Sequence, residues 1–198
     1  MRTKLPLLFA ALAVMLPLSG TANSAEPNAA AFVTPTTRDG RRDFDFLLGT
    51  WRYHFRILKD RLKNSHEWYN CTATGETRSI WSGIWQGSGN LEEANIHCPN
   101  KTIYGITLRM YNPQTHQWQL WWGLRERGLI PPPQIGHFDA SGVGKFYADD
   151  TWKGTPVIVR YWWTQNQNGH PHFEQAFSAD HGKTWETNWI SDQSKLST

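Results

Sequence analysis

From Asp43 onward the chain alternates between apolar and polar positions. Trp51, Tyr53, Phe55 and Ile57 fall on one side of an extended segment, with Arg52, His54 and Arg56 on the other. Trp118, Leu120, Trp122 and Leu124 repeat the pattern opposite Gln117, Gln119 and Arg125. A period of two marks strands with one buried face, whereas helical periodicity is hard to find because Gly, Pro, Asn and Asp interrupt it throughout. The pattern predicts strands near 50–58, 66–78, 80–87, 91–97, 102–111 and 117–125, and further ones near 134–139, 144–149, 155–165, 171–178 and 184–190. Turn signals such as Asn112-Pro113, Asp139-Ala140-Ser141-Gly142 and Asn166-Gln167-Asn168-Gly169 separate them. Many short strands in meander order, without crossover helices, predict an all-β fold. Its expected form is an antiparallel up-and-down barrel of about 8–10 strands. The run from Val157 to Trp163 is bulky on both faces, which predicts one face in the lumen and the other covered by a neighbour or by the N-terminal lead.

The first segment does not belong to that pattern. Arg2 and Lys4, the apolar run Leu5–Leu18 and the small residues Gly20–Ala25 read as a secretory signal peptide over 1–25. The apolar run falls short of the ~20 residues that span a bilayer, so stable membrane insertion is not expected. Residues 26–42 are polar and irregular and read as a lead, followed by the barrel domain over 43–198. The expected location is exported, either periplasmic or secreted.

Composition sharpens this picture. Aromatic residues make up 14% of the chain and include twelve tryptophans, while charged residues make up only 19%. That balance excludes a disordered or coiled-coil chain. The formal charge of +3 includes Arg2 and Lys4, so the mature chain is close to neutral. No run of Lys or Arg suits a phosphate backbone, and nucleic acid is not an expected partner. Cys71 and Cys98 are the two cysteines, and in an oxidising compartment they are expected to form a disulfide.

Two phrases carry a resemblance. Asp43-Phe44-Asp45-Phe46-Leu47-Leu48-Gly49-Thr50-Trp51 places Gly-x-Trp at the entrance to the first alternating strand. In that setting it resembles the opening of lipocalin-like calycin barrels. It is closer still to a family of exported bacterial proteins of unknown function that open with Phe-x-Phe-Leu-Leu-Gly-x-Trp and carry a late Gly-Lys-Thr-Trp-Glu phrase, matched here by Gly182 to Glu186. The resemblance spans roughly Asp43 to Ser191 and implies a lipocalin-like barrel without a defined activity. Lipocalins place a late Arg over the Gly-x-Trp indole, and the last strand here offers Lys195 instead. Ser178-Ala179-Asp180-His181-Gly182-Lys183-Thr184-Trp185 also resembles the Asp-box hairpin of sialidase propellers; a single copy reads as a structural turn.

The first functional expectation is a small apolar or aromatic molecule held in a tryptophan-lined cavity. Trp51 is expected to close the base, Tyr53, Phe55, Trp122 and Trp162 to line the wall, and Arg160 to act as polar anchor. Arg109 is the second arginine embedded in an apolar strand, expected to face outward. An alternative is a cofactor-independent lyase, isomerase or hydratase acting on an aromatic or terpenoid substrate, with His54, His172 or Glu174 as acid–base groups. A glycan-binding module using exposed tryptophan planes is the third reading. No cofactor is expected; haem is conceivable in a calycin barrel, but none of the eight histidines has a context that selects it. His170, His172 and His181 read as surface histidines rather than as a metal cluster.

Overall fold

The computed structural model describes residues 28–80 and 87–196. The expected signal peptide, most of the segment at 80–87, and Trp81 and Trp85 lie outside them. The described chain is all-β, with 3₁₀ turns at Ala29–Phe32 and Asp45–Leu47. Its strands are β1 (Gly49–Leu58), β2 (Trp68–Ser79), β3 (Gly89–Cys98), β4 (Lys101–Asn112), β5 (Gln117–Leu124) and β6 (Gly128–Leu129). They continue as β7 (Gln134–Phe138), β8 (Gly144–Trp152), β9 (Thr155–Gln165), β10 (Pro171–Ser178) and β11 (Glu186–Lys195). β1 pairs with both β2 and β11, and β5 pairs with β4 and β7, so ten antiparallel strands close into a barrel. The short β6 hangs on β5 as an extra strand. The up-and-down barrel read from the alternation is therefore present, and closure removes the sheet edges that would otherwise invite association.

The alternation of β1 sets the inside and the outside. Trp51, Tyr53, Phe55 and Ile57 are buried, while Arg52, His54 and Arg56 are exposed. At the closing seam Tyr53 lies opposite Gln193, Phe55 opposite Ser191 and Ile57 opposite Trp189. β11 thus runs to Lys195, well past the expected 184–190, and brings polar side chains into the interior.

One end of the barrel is plugged by the chain that leads into β1. Gly49, with φ +119, turns that chain into the wall, a backbone conformation natural to glycine. Phe44 and Leu47 have no solvent exposure and pack with Trp118, Phe138, Phe146 and Trp163. The Phe44 ring meets Trp118 and Phe138 edge-on at 5.0 and 4.9 Å and stacks on Phe146 at 5.5 Å. Hydrogen bonds bolt this plug in place: the Gly40 amide donates to the Tyr111 hydroxyl at 3.0 Å, and Trp118 Nε1 donates to the Gly40 carbonyl at 2.9 Å. Trp51 sits beneath, its Nε1 donating to the Leu47 carbonyl at 2.6 Å and its ring 5.7 Å from Lys195 Nζ. Lysine here stands over the indole that the lipocalin resemblance assigns to an arginine.

The N-terminal lead then runs along the outer wall. The Ala29 amide donates to Asp149 Oδ1 at 2.8 Å, and Phe32 stacks on Tyr147 at 5.4 Å and meets Trp185 edge-on at 5.8 Å. That contact fixes the β10–β11 turn as well. Asp180 accepts from the Thr184 amide at 2.9 Å and from its hydroxyl at 2.6 Å, the Gly182 amide donates to Ser178 Oγ at 2.7 Å, and Trp185 Nε1 donates to the Gly182 carbonyl at 3.1 Å. Gly182 has φ +83, and a Cβ there would lie 2.2 Å from the Phe32 ring. The phrase is a structural hairpin clamped by the lead. These hydrogen bonds, with Thr184 foremost, hold the Asp180 carboxyl down at about 2.

At the opposite end a disulfide joins Cys71 on β2 to Cys98 on β3, as expected from the two cysteines, with Cα atoms 4.3 Å apart. Replacing both by serine is expected to lower the unfolding free energy by about 3 kcal/mol in urea titrations; an unchanged midpoint would contradict a structural role. The Asp180 carboxyl has a folded pKa below its unfolded value of 3.8, so its contribution to stability is complete above pH 4 and disappears as pH falls through about 2. An Asp180→Asn variant should therefore show a flatter acid limb between those limits in pH-dependent melting curves. An acid limb of wild-type slope would show the carboxylate to be inert.

Candidate functional site

Below the plug the inward side chains no longer fill the barrel, and a cavity of about 80 Å³ remains. Six rings stand in its wall: Phe55 from β1, Trp122 from β5, Tyr161 and Trp163 from β9, Phe173 from β10 and Trp189 from β11. Trp122 and Trp189 meet edge-on at 6.0 Å, as do Phe55 and Trp189. Between the rings stand small or polar residues, among them Ala94, Thr107, Gln175, Ser191 and Gln193, and these leave the space open.

Arg109 reaches into this interior from the middle of β4 and has no solvent exposure. Its Nη1 donates to Asn90 Oδ1 at 3.0 Å and its Nη2 to Glu92 Oε2 at 2.5 Å, both partners coming from β3. The guanidinium carbon lies 5.3 Å from the centre of the Phe44 ring and 5.0 Å from that of Trp163. A charge in such a place is stable only when paired and hydrogen-bonded, and Glu92 supplies the pairing. Satisfaction is incomplete. Among the described residues, Arg109 Nε, Trp163 Nε1, Ser191 Oγ and Gln193 Oε1 are buried without a partner. All four belong to residues that line the cavity. An unpaired buried polar atom costs about 1–3 kcal/mol, so these four groups stand as the open polar positions of the wall. Burial raises the Tyr53 and Tyr161 phenols above their ordinary range, so both stay protonated and able to donate.

Phe55 and Trp122 line the cavity, while Trp51 and Tyr53 point inward without reaching its wall. The structure reverses the two arginines. Along β9 the inward positions are Val157, Val159, Tyr161 and Trp163, which puts Arg160 and Trp162 on the outer face. There the Arg160 guanidinium covers Trp185 at 4.6 Å and Trp162 at 5.1 Å, and burial draws its pKa down. The buried arginine is Arg109, and the inward rings of this strand are Tyr161 and Trp163. Phe173, Trp189 and Glu92 also belong to the wall and went unrecognised in the sequence.

His54, His172 and Glu174 stand on the outer wall, where His172 lies 2.7 Å from Asp192 Oδ1 and 3.2 Å from Glu174 Oε1. Two of the three acid–base candidates thus meet, but none lines the cavity. Among the described residues no group of three or more His, Cys, Asp and Glu is arranged to hold a metal. The cavity wall carries no histidine. Trp68, Trp121, Trp152, Trp162, Trp185 and Trp189 are only partly accessible, and the exposed large apolar side chains among the described residues are Tyr104 and Leu129. A row of flat exposed indoles for a glycan is absent from them.

No family model and no curated protein matches this chain. What the fold and site define is a class: a closed antiparallel β-barrel with a ring-lined interior and a buried Arg–Glu pair. Glu92→Leu should leave Arg109 uncompensated and cost about 3 kcal/mol in denaturant titrations, whereas Glu92→Leu with Arg109→Met should recover most of that loss. Additive losses in the double variant would contradict the pairing.

Proposed function

We propose that this protein is an exported binder that holds a small apolar or aromatic molecule in the cavity of its barrel. The observation that carries the reading is a hollow walled by six aromatic rings, in which Arg109, Trp163, Ser191 and Gln193 present buried polar atoms without partners. Pockets for small ligands combine apolar walls with a few placed polar groups in this way, often in the mouths of barrels. Export rests on the leader-like segment at 1–25 and on the Cys71–Cys98 disulfide, a bond that persists in oxidising compartments. The resemblance of the Phe44–Trp51 and Gly182–Glu186 phrases to those of exported lipocalin-like proteins fits the same reading.

Cavity size sets the ligand. At about 80 Å³ the hollow is smaller than the ~150 Å³ engineered cavity that takes up benzene, so a single ring enters only with a shift of Trp122 or Trp189. Both are partly exposed, so a shift meets least resistance there. The expected outcome is a saturable change in intrinsic fluorescence with monocyclic aromatic probes. Trp122→Ala, by enlarging the hollow, should shift preference toward bicyclic probes by about tenfold. Flat titrations with every aromatic probe, in both the wild type and Trp122→Ala, would defeat the proposal.

A further inference from the structure

A second arginine stands at the end of the barrel away from the plug. The loop between β1 and β2 is pinned to the start of β11, because the Leu62 amide donates to both carboxylate oxygens of Glu186 at 2.8 and 3.0 Å. Its neighbour Arg61 is thereby laid over the rim, with its guanidinium carbon 4.8 Å from the Trp152 ring centre, 5.4 Å from Phe177 and 5.8 Å from Trp189. Trp189 is part of the cavity wall, and Phe177 packs with Val157 and Val159 in the cluster that carries Tyr161 to the same wall.

Three observations separate Arg61 from a charge that merely covers rings. Arg109 is neutralised by Glu92, but Arg61 forms no ion pair with a carboxylate among the described residues. The acid acting on it, Glu186, has both oxygens engaged by the Leu62 amide. Tyr161, whose burial keeps its phenol protonated, lines the cavity as a further donor. Burial draws Arg61 down to about 10, so it is still a cation at neutral pH. Arg61 therefore brings a cation without an ion pair, and a planar fork of donors, against Trp189 of the cavity wall, a geometry that suits a carboxylate.

Resting on the binding role argued above, we propose that the ligand is an aromatic monocarboxylic acid. Its ring enters among Trp122, Phe173 and Trp189, and its carboxylate stays at the rim on the Arg61 guanidinium, with the Tyr161 hydroxyl as a second donor. Arg61 selects the acid; the ring wall retains it.

Titration of the full mature chain with benzoate and with its neutral isostere benzamide tests this, read by tryptophan fluorescence and calorimetry. Benzoate is expected to bind more tightly than benzamide, and Arg61→Gln should weaken benzoate by about ten- to a hundredfold while leaving benzamide unchanged. Arg61→Lys, which keeps the charge and loses the fork, should fall between the two, and unchanged melting temperatures establish that both variants are folded. Benzamide binding as well as benzoate, or benzoate indifferent to Arg61→Gln, overturns the acid while leaving the binding role intact. Failure of both probes to bind wild type at millimolar concentration overturns the acid and the binding role together.

Discussion

Arg109 projects from the middle of β4 into a buried interior, and the two side chains that hold its Nη1 and Nη2, Asn90 and Glu92, alternate along β3. The pairing fixes the β3–β4 register, with Asn90 opposite Arg109 and Glu92 opposite Thr107. A slip of one residue would turn Arg109 outward, bring Leu108 in and strand Glu92 as an unpaired buried acid. The same guanidinium lies against Phe44 of the plug and Trp163 of the cavity wall. One buried charge therefore ties together strand register, the closed end and the hollow beyond it.

The two halves of the barrel differ in what faces inward. Toward the plug, Trp118, Phe138 and Phe146 meet Phe44 and Leu47, and rings fill the section completely. Toward the mouth, large rings alternate with Ala94, Thr107, Ser191 and Gln193, which are too short to meet across the lumen. β10 and β11 lose register between Gln175 and Ala176, and Gln175 Nε2 donates to the fully buried Asn188 at 2.7 Å. Irregularities of this kind re-aim side chains at the rims of barrels and beside functional sites.

Much of the barrel was legible because β1 and β5 keep a strict alternation of rings with polar residues, and turn residues mark most strand ends. β11 was cut short for a physical reason. Ser191 and Gln193 face inward but are polar, so the segment beyond Ile190 lacks the apolar alternation of a half-buried strand. The arginines were exchanged for related reasons. Leu108 and Met110 flank Arg109 and suggest an apolar interior, yet they lie on the outer face, and the only sign of an inward arginine is Glu92 on the neighbouring strand. In β9, Val157, Ile158 and Val159 are all buried, so apolarity cannot set the phase of Arg160. That phase depends on the N-terminal lead, which covers the outer wall through contacts more than a hundred residues apart in the chain. Arg61 left no trace at all, since a polar loop carries no sign of where it folds back.

The seam between β1 and β11 joins the first strand of the barrel to the last, setting Trp51 beside Lys195. No intermediate pairing can close the cylinder, so the chain must form a ten-strand meander and then join two ends held apart by the whole domain. Closing so long a loop comes late, after local hairpins have formed, because its entropy has to be overcome before the contact returns anything. Until then both edge strands stand open, and β1 offers a line of rings to any neighbour. A chain synthesised from one end is thus exposed to misassembly until its final strand is released. That interval makes early hairpin closure by the Cys71–Cys98 bond useful to folding as well as to the finished barrel.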